Sequence, residues 1–171
     1  MIRKAKTYNG DLMNKGSDNE EIVMIWLQRK FNNFYFEDLR KYEWAQKNDI
    51  DCCIYKKGEE KINIEIKSDI HIDENKNFLF EFFRYHHFVT FNCGYMGWGC
   101  RSHADRLIIR NPRTNKIFIF RLKILRMEVG KYISENKVRI DQVDTDDQKT
   151  TFNFLIPMNS LSYVVNQLPI V

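Results

Sequence analysis

The sequence predicts a single-domain α/β fold built on a mixed sheet. Three observations carry this: an amphipathic helix near the start, apolar runs of strand length through much of the remainder, and a further helical stretch lying between strands. Composition permits a real core, since 43% of the 171 residues are hydrophobic and 14% aromatic. Three Pro and seven Gly leave little room for a flexible linker, so the chain is expected to be one compact unit.

The helix comes first because Val23, Met24, Leu27 and Phe31 recur at helical spacing, with Ser17 or Asp18 as N-cap and acidic residues in the first turn. Phe34 and Phe36 then read as a short strand, followed by a polar, poorly periodic stretch from Arg40 to Asn48. The runs IDCCIY and KINIEIK flank KKGEE, so Gly58 marks a hairpin turn between two strands. In the second of them Ile62, Ile64 and Ile66 point one way, and Glu65 and Lys67 the other. NFLFEFFRY is a further strand, followed by the Gly-rich aromatic loop CGYMGWGC. DRLIIRN and KIFIFRL are strands joined through the turn residues Asn111 to Asn115. Ile124 to Tyr132 suits a helix, Ser134 to Thr151 reads as a polar excursion, TFNFLIP as a last strand, and Asn159 as the cap of a short final helix.

Charge is uneven along this order. The net charge is +4, from 27 basic and 23 acidic residues. The segment from Gly99 to Lys131 alone carries +7, including Arg101, Arg106, Arg110, Arg113 and Lys116. Such an excess suits a face that binds a polyanion, because each neutralised phosphate releases counterions. Residues 1–14 form a smaller basic arm through Arg3, Lys4 and Lys6. No apolar run of membrane-spanning length and no secretory leader stand out, so a cytoplasmic location is expected. Cys52, Cys53, Cys93 and Cys100 read as reduced thiols. Cys93, Cys100 and His103 match no common zinc spacing, and the sequence has no Walker loop, dinucleotide fingerprint or Ser-His-Asp arrangement. His86 and His87 are better explained by packing than by base chemistry.

Asp51, Glu65 and Lys67 interrupt apolar strands where solvated charge has no structural role. The Gly58 hairpin sets their strands side by side, so the two carboxylates meet on one face. Such a pair repels unless a cation joins it, and hard oxygen ligands suit Mg²⁺ or Mn²⁺. Lys67, on the same face as Glu65, adds positive charge where a phosphoryl transition state needs it. Asp49 shares the strand face of Asp51 and is an alternative ligand.

Asp51, thirteen residues, then Glu65-Ile66-Lys67 resembles the active-site signature of the PD-(D/E)XK nuclease superfamily, although the proline is replaced by Asn48-Asp49-Ile50. Lys15 to Glu20 ahead of the apolar helix resembles the opening of the archaeal Holliday-junction resolvases, whose helix carries a further metal-site Glu. That role transfers to Glu20, which shares a helix face with Val23 and Leu27, with Glu21 in reserve. The resemblance implies a restriction-endonuclease-like mixed central sheet flanked by helices over residues 15–171. It also implies a Mg²⁺-dependent endonuclease acting on double-stranded or branched DNA, a homodimer, and the Ile66 carbonyl as a metal ligand. The rival expectation is an inactive nuclease fold that binds nucleic acid or serves in assembly. Gly97-Trp98 and Ser102 to Asp105 resemble, more loosely, small phage- and plasmid-type endonucleases. There Glu81 is open between a metal ligand and a partner for the basic segment, Asp105 suits fastening a loop, and Trp98 suits the core.

Overall fold

The computed structural model describes residues 11–73, 77–87, 92–135, 137–145 and 149–168. Helix α1 (Asp11–Lys30) precedes β1 (Tyr35–Asp38), a short α2 (Glu43–Lys47), β2 (Cys52–Tyr55), β3 (Ile62–Ser68), β4 (Asn77–His87) and β5 (Asn92–Met96). A single turn of helix, α3 (Trp98–Arg101), leads to β6 (Arg106–Asn111), β7 (Lys116–Arg121), α4 (Leu122–Ser134), β8 (Arg139–Thr145), β9 (Lys149–Pro157) and β10 (Tyr163–Gln167).

The fold is mixed α/β, but its strands form two sheets where one was expected. The first has six strands in the order β1-β2-β3-β6-β7-β10 and is mixed because β3 and β6 run parallel while every other neighbour is antiparallel. The second, β5-β4-β9-β8, is antiparallel throughout.

Alternation along the central strands explains the layering. Ile64 and Ile66 of β3, Ile108 of β6 and Ile117 of β7 face α1 and pack with Val23, Met24 and Leu27. Their neighbours Leu107, Ile109, Phe118 and Phe120 face the other way, into a core shared with Phe78, Phe80 and Ile156 of the second sheet and Leu122, Leu125 and Val129 of α4. Both faces of β6 and β7 are therefore buried. Truncating Leu27, which is fully buried at the centre of the helix face, would cost about 2–5 kcal/mol.

Several sequence expectations are corrected. Helix α1 begins at Asp11, so Ser17 and Asp18 lie within it and do not cap it, and only residues 1–10 of the basic arm, with Arg3, Lys4 and Lys6, fall outside the described residues. The stretch from Arg40 to Asn48 contains α2, and the Gly-rich loop contains most of β5 and most of α3. The polar excursion holds β8, whose polar residues suit a strand at the outer edge of its sheet. Among the described residues no α-helix follows Asn159: a 3-10 turn at Met158–Ser160 leads into β10, where Val164 and Val165 pair with Ile119 and Phe118. The Gly58 turn is present, with φ of 84° at the glycine and a Glu59 N–H bond to the Lys56 carbonyl.

Candidate active site

Asp51 sits immediately before β2 and is fixed from three sides. Its N–H donates to the Ile64 carbonyl (2.9 Å), its carbonyl accepts from the Leu39 N–H (2.8 Å), and its Oδ2 accepts from the Ile66 N–H (2.6 Å). The register Cys52↔Ile64, extended by one residue, sets Asp51 opposite Glu65, so both side chains share a face. Glu65 is only 2% exposed. The Lys67 ammonium contacts Glu65 Oε1, and Lys67 remains half-exposed at the mouth of the site.

The electrostatics of this pair follow from burial. Burial pushes the Glu65 carboxyl up to about 7; Lys67 opposes the shift and the Asp51 charge reinforces it. Burial also raises Asp51, against the Ile66 N–H and the charges of Lys67 and Arg40. Burial works against the charged form of Lys67, but Glu65 and Asp51 outweigh it and raise its pKa. Glu20, from α1, belongs to the same field: its carboxyl is raised by burial and by the charge of Asp51, against Arg40 and Lys67.

Glu20 therefore senses the pair. Glu21 is more exposed and accepts from Arg40 Nη2 at 2.9 Å. Arg40 is a residue that sequence reasoning missed: it lies 3.7 Å from Glu20 and donates twice to Asp38, at 3.0 and 2.7 Å, so it ties α1 to the end of β1. The only local signal was the Asp-x-Arg spacing, which does not reveal a partner on a distant helix. Asp49 is engaged elsewhere, by a two-pronged ion pair with Arg101 at 2.8 and 2.6 Å. Ile66 reaches the site through its N–H, while its side chain is buried beneath α1.

Among the described residues no group of three or more His, Cys, Asp or Glu is arranged to hold a metal ion. The donor set nevertheless suits a hard divalent cation. The field at Asp51 includes the carboxyls of Glu65 and Glu20 and the cations Lys67 and Arg40. Asp51 and Glu65 are the two that would hold such an ion.

The basic residues of the segment are spread along the β6–β7 hairpin, and several are already paired. Arg106 lies opposite Arg121 at one end of the β6–β7 hairpin, and Arg113 and Lys116 lie at the other. Lys116 pairs with Asp73 at 2.8 Å, Arg101 with Asp49, and Arg106 with the Asp105 carbonyl at 3.1 Å. Of the two arginines that flank the Asn111-Pro112 turn, Arg113 is exposed and Arg110 is not. Arg110 is 9% exposed and donates to Asn19 Oδ1 on α1 and to Asn115 Oδ1 (3.0 Å), because alternation along β6 turns it to the same side as Ile108.

Glu81 is buried and paired with Arg84 at 2.8 Å, a residue outside the basic segment. Trp98 lies in the core, edge-on to Phe78 at 6.3 Å. Asp105 fastens the crossover into β6: its Oδ2 accepts from the Asn63 N–H (2.8 Å), its own N–H donates to the Asn63 carbonyl, and its carbonyl accepts from Leu122 at the start of α4. Cys52, Cys53 and Cys100 are free thiols. The side chains of His86, His87 and Cys93 lie outside the described residues. No helix among the described residues is long and apolar enough to cross a membrane. No protein-family model, curated protein or solved structure matches the chain.

Proposed function

We propose that the protein is a metal-dependent endonuclease that hydrolyses phosphodiester bonds in DNA, with Asp51 and Glu65 holding Mg²⁺ or Mn²⁺. The observation that supports this reading best is the pairing of the buried Glu65 carboxyl with the half-buried Asp51 carboxyl across the β2–β3 hairpin, with a half-exposed lysine against Glu65. Packing alone gives no reason for such an arrangement, since a buried pair of acids costs stability unless a cation joins it. The mixed six-stranded sheet that carries this hairpin, with α1 packed on one face, supports the mixed central sheet flanked by helices that the PD-(D/E)XK resemblance implies.

Asp51 and Glu65 would hold the ion, which would supply Lewis acidity toward the scissile phosphate and toward water. Lys67 supplies an N–H donor and a positive charge at the mouth, where charge develops on the phosphoryl oxygens. Glu20 would complete or orient the metal shell from α1, with Arg40 3.7 Å from its carboxylate.

The test is a cleavage panel of linear, nicked, flapped and four-way DNA with Mg²⁺, Mn²⁺ or EDTA, run on the wild type, Asp51→Asn and Glu65→Ala. Cleavage that requires metal and disappears in both variants is the expected result. Metal-independent cleavage, or full activity in both variants, overturns the proposal.

A further inference from the structure

Resting on the nuclease reading, we propose that Tyr42 and Trp44 form a stacking site for an unpaired nucleobase beside the cleavage centre, which directs the enzyme to DNA with single-stranded segments. The two rings are 54% and 52% exposed and line a hollow of about 340 Å³ with Glu37, Asp38 and Leu39. The backbone that carries them is well tied. The Tyr42 N–H donates to the Leu39 carbonyl, the Tyr42 carbonyl accepts from Ala45 and Gln46, and the Trp44 carbonyl accepts from Asn48 Nδ2 at 2.7 Å. Exposed rings on a fixed backbone lose little freedom when a flat ligand settles on them.

The hollow adjoins the candidate active site through one residue. Leu39 lies at the hollow and donates its N–H to the Asp51 carbonyl, while Asp38 at the rim is bonded to the Arg40 that also reaches Glu20. A strand passing the metal site would meet the aromatic pair next.

The lining chemistry selects a base over a phosphate. Glu37 is already engaged by Lys61 and Tyr55, and Asp38 by Arg40, but the remaining lone pairs of their oxygens can accept from exocyclic amino groups, which a phosphate lacks. Lys41, exposed between Arg40 and Tyr42, is available to the flanking phosphate, so basic and aromatic residues interleave as they do in single-strand grooves. Inside a duplex both faces of each base are covered by its neighbours, which leaves an unpaired base as the fitting ligand.

Binding is measured in EDTA, where no cleavage is needed, by tryptophan fluorescence and by anisotropy of labelled DNA. A single-stranded oligonucleotide should quench the wild type, and Trp44→Phe should lose most of that response, since Trp26 and Trp98 are more buried. The double variant Tyr42→Ala, Trp44→Ala should bind single-stranded and flapped DNA at least about tenfold more weakly, from the worth of base stacking on aromatic rings. Its affinity for blunt duplex should change less than twofold, with an unchanged melting temperature. Equal losses for single-stranded and duplex DNA, or unchanged flap binding, overturn the inference even if the wild type proves to be a nuclease. Quenching that follows protein concentration and not DNA overturns it too, in favour of a contact between two copies. Selective single-strand binding by a wild type that cleaves nothing upholds the stacking site and sinks the nuclease reading.

Discussion

Replacing Glu65 by Gln removes an ionisable group while keeping its shape, and the consequence should be a change in how stability depends on pH. The folded carboxyl titrates at about 7 against an ordinary 4.5, so the native state holds that proton more tightly than the unfolded chain. A raised carboxyl gives its full stabilisation below pH 4.5 and loses it as the pH climbs through 7. At about 1.4 kcal/mol for each tenfold change in proton affinity, the loss comes to about 3 kcal/mol. For a chain of this length that is roughly 6–12 °C in melting temperature. Thermal unfolding in EDTA between pH 4.5 and 8.5 should therefore show the wild type weakening as pH rises, with Glu65→Gln flatter and more stable than wild type at pH 8. Mg²⁺ added at pH 8 should restore the wild type and leave the variant unmoved. A wild-type curve that is flat across this range, or one whose slope Glu65→Gln reproduces, refutes the account of a strained acid pair.

Lys67→Met should leave Mg²⁺ affinity nearly intact by calorimetry while lowering the cleavage rate about 10²–10³-fold at saturating metal; lost metal binding would show that the lysine organises the ligands instead. Arg113→Ala should reduce the slope of log K against log salt for duplex DNA by about 0.9, whereas Arg110→Met should leave it unchanged because that guanidinium is buried against Asn19 and Asn115. An equal fall in both would mean that Arg110 reaches the phosphates. Gly97→Ala should destabilise the fold by about 1–3 kcal/mol, since a Cβ there would lie 2.6 Å from both the Glu81 carbonyl oxygen and Glu81 Cγ; an unchanged denaturant midpoint would show that β4 yields easily.

The acid pair and its lysine were legible in the sequence because each depends on a short-range rule. A hairpin turn at Gly58 fixes which residues stand opposite, and a period of two fixes which share a face. Glu20 was legible through the helical period of its neighbours. Arg110 could have been read the same way, since its alternation with Ile108 already turns it inward; the count of positive charges concealed this. Arg40 was not legible, because its partners Glu20 and Glu21 belong to a separate element and only the packing of α1 brings them near. The outer strands were lost for different reasons. β8 is polar because it lies at a sheet edge, and the short run Tyr163-Val164-Val165 fits a helix turn or a strand until β7 is there to pair with it.

The second sheet is assembled from two separate excursions of the chain, β4 with β5 before the β6–β7 hairpin and β8 with β9 after α4. During synthesis β4 therefore emerges with only β5 beside it, and its other edge, nine paired positions long in the finished fold, waits for β9. Roughly sixty residues separate the two strands, which at ribosomal speeds is about 3–12 s. Through that interval the nascent chain carries an open, aromatic strand edge suited to pairing with any neighbour. Crowded translation and early termination within α4 are thus the circumstances in which this protein would aggregate, and a chaperone that covers strand edges would act on β4 first.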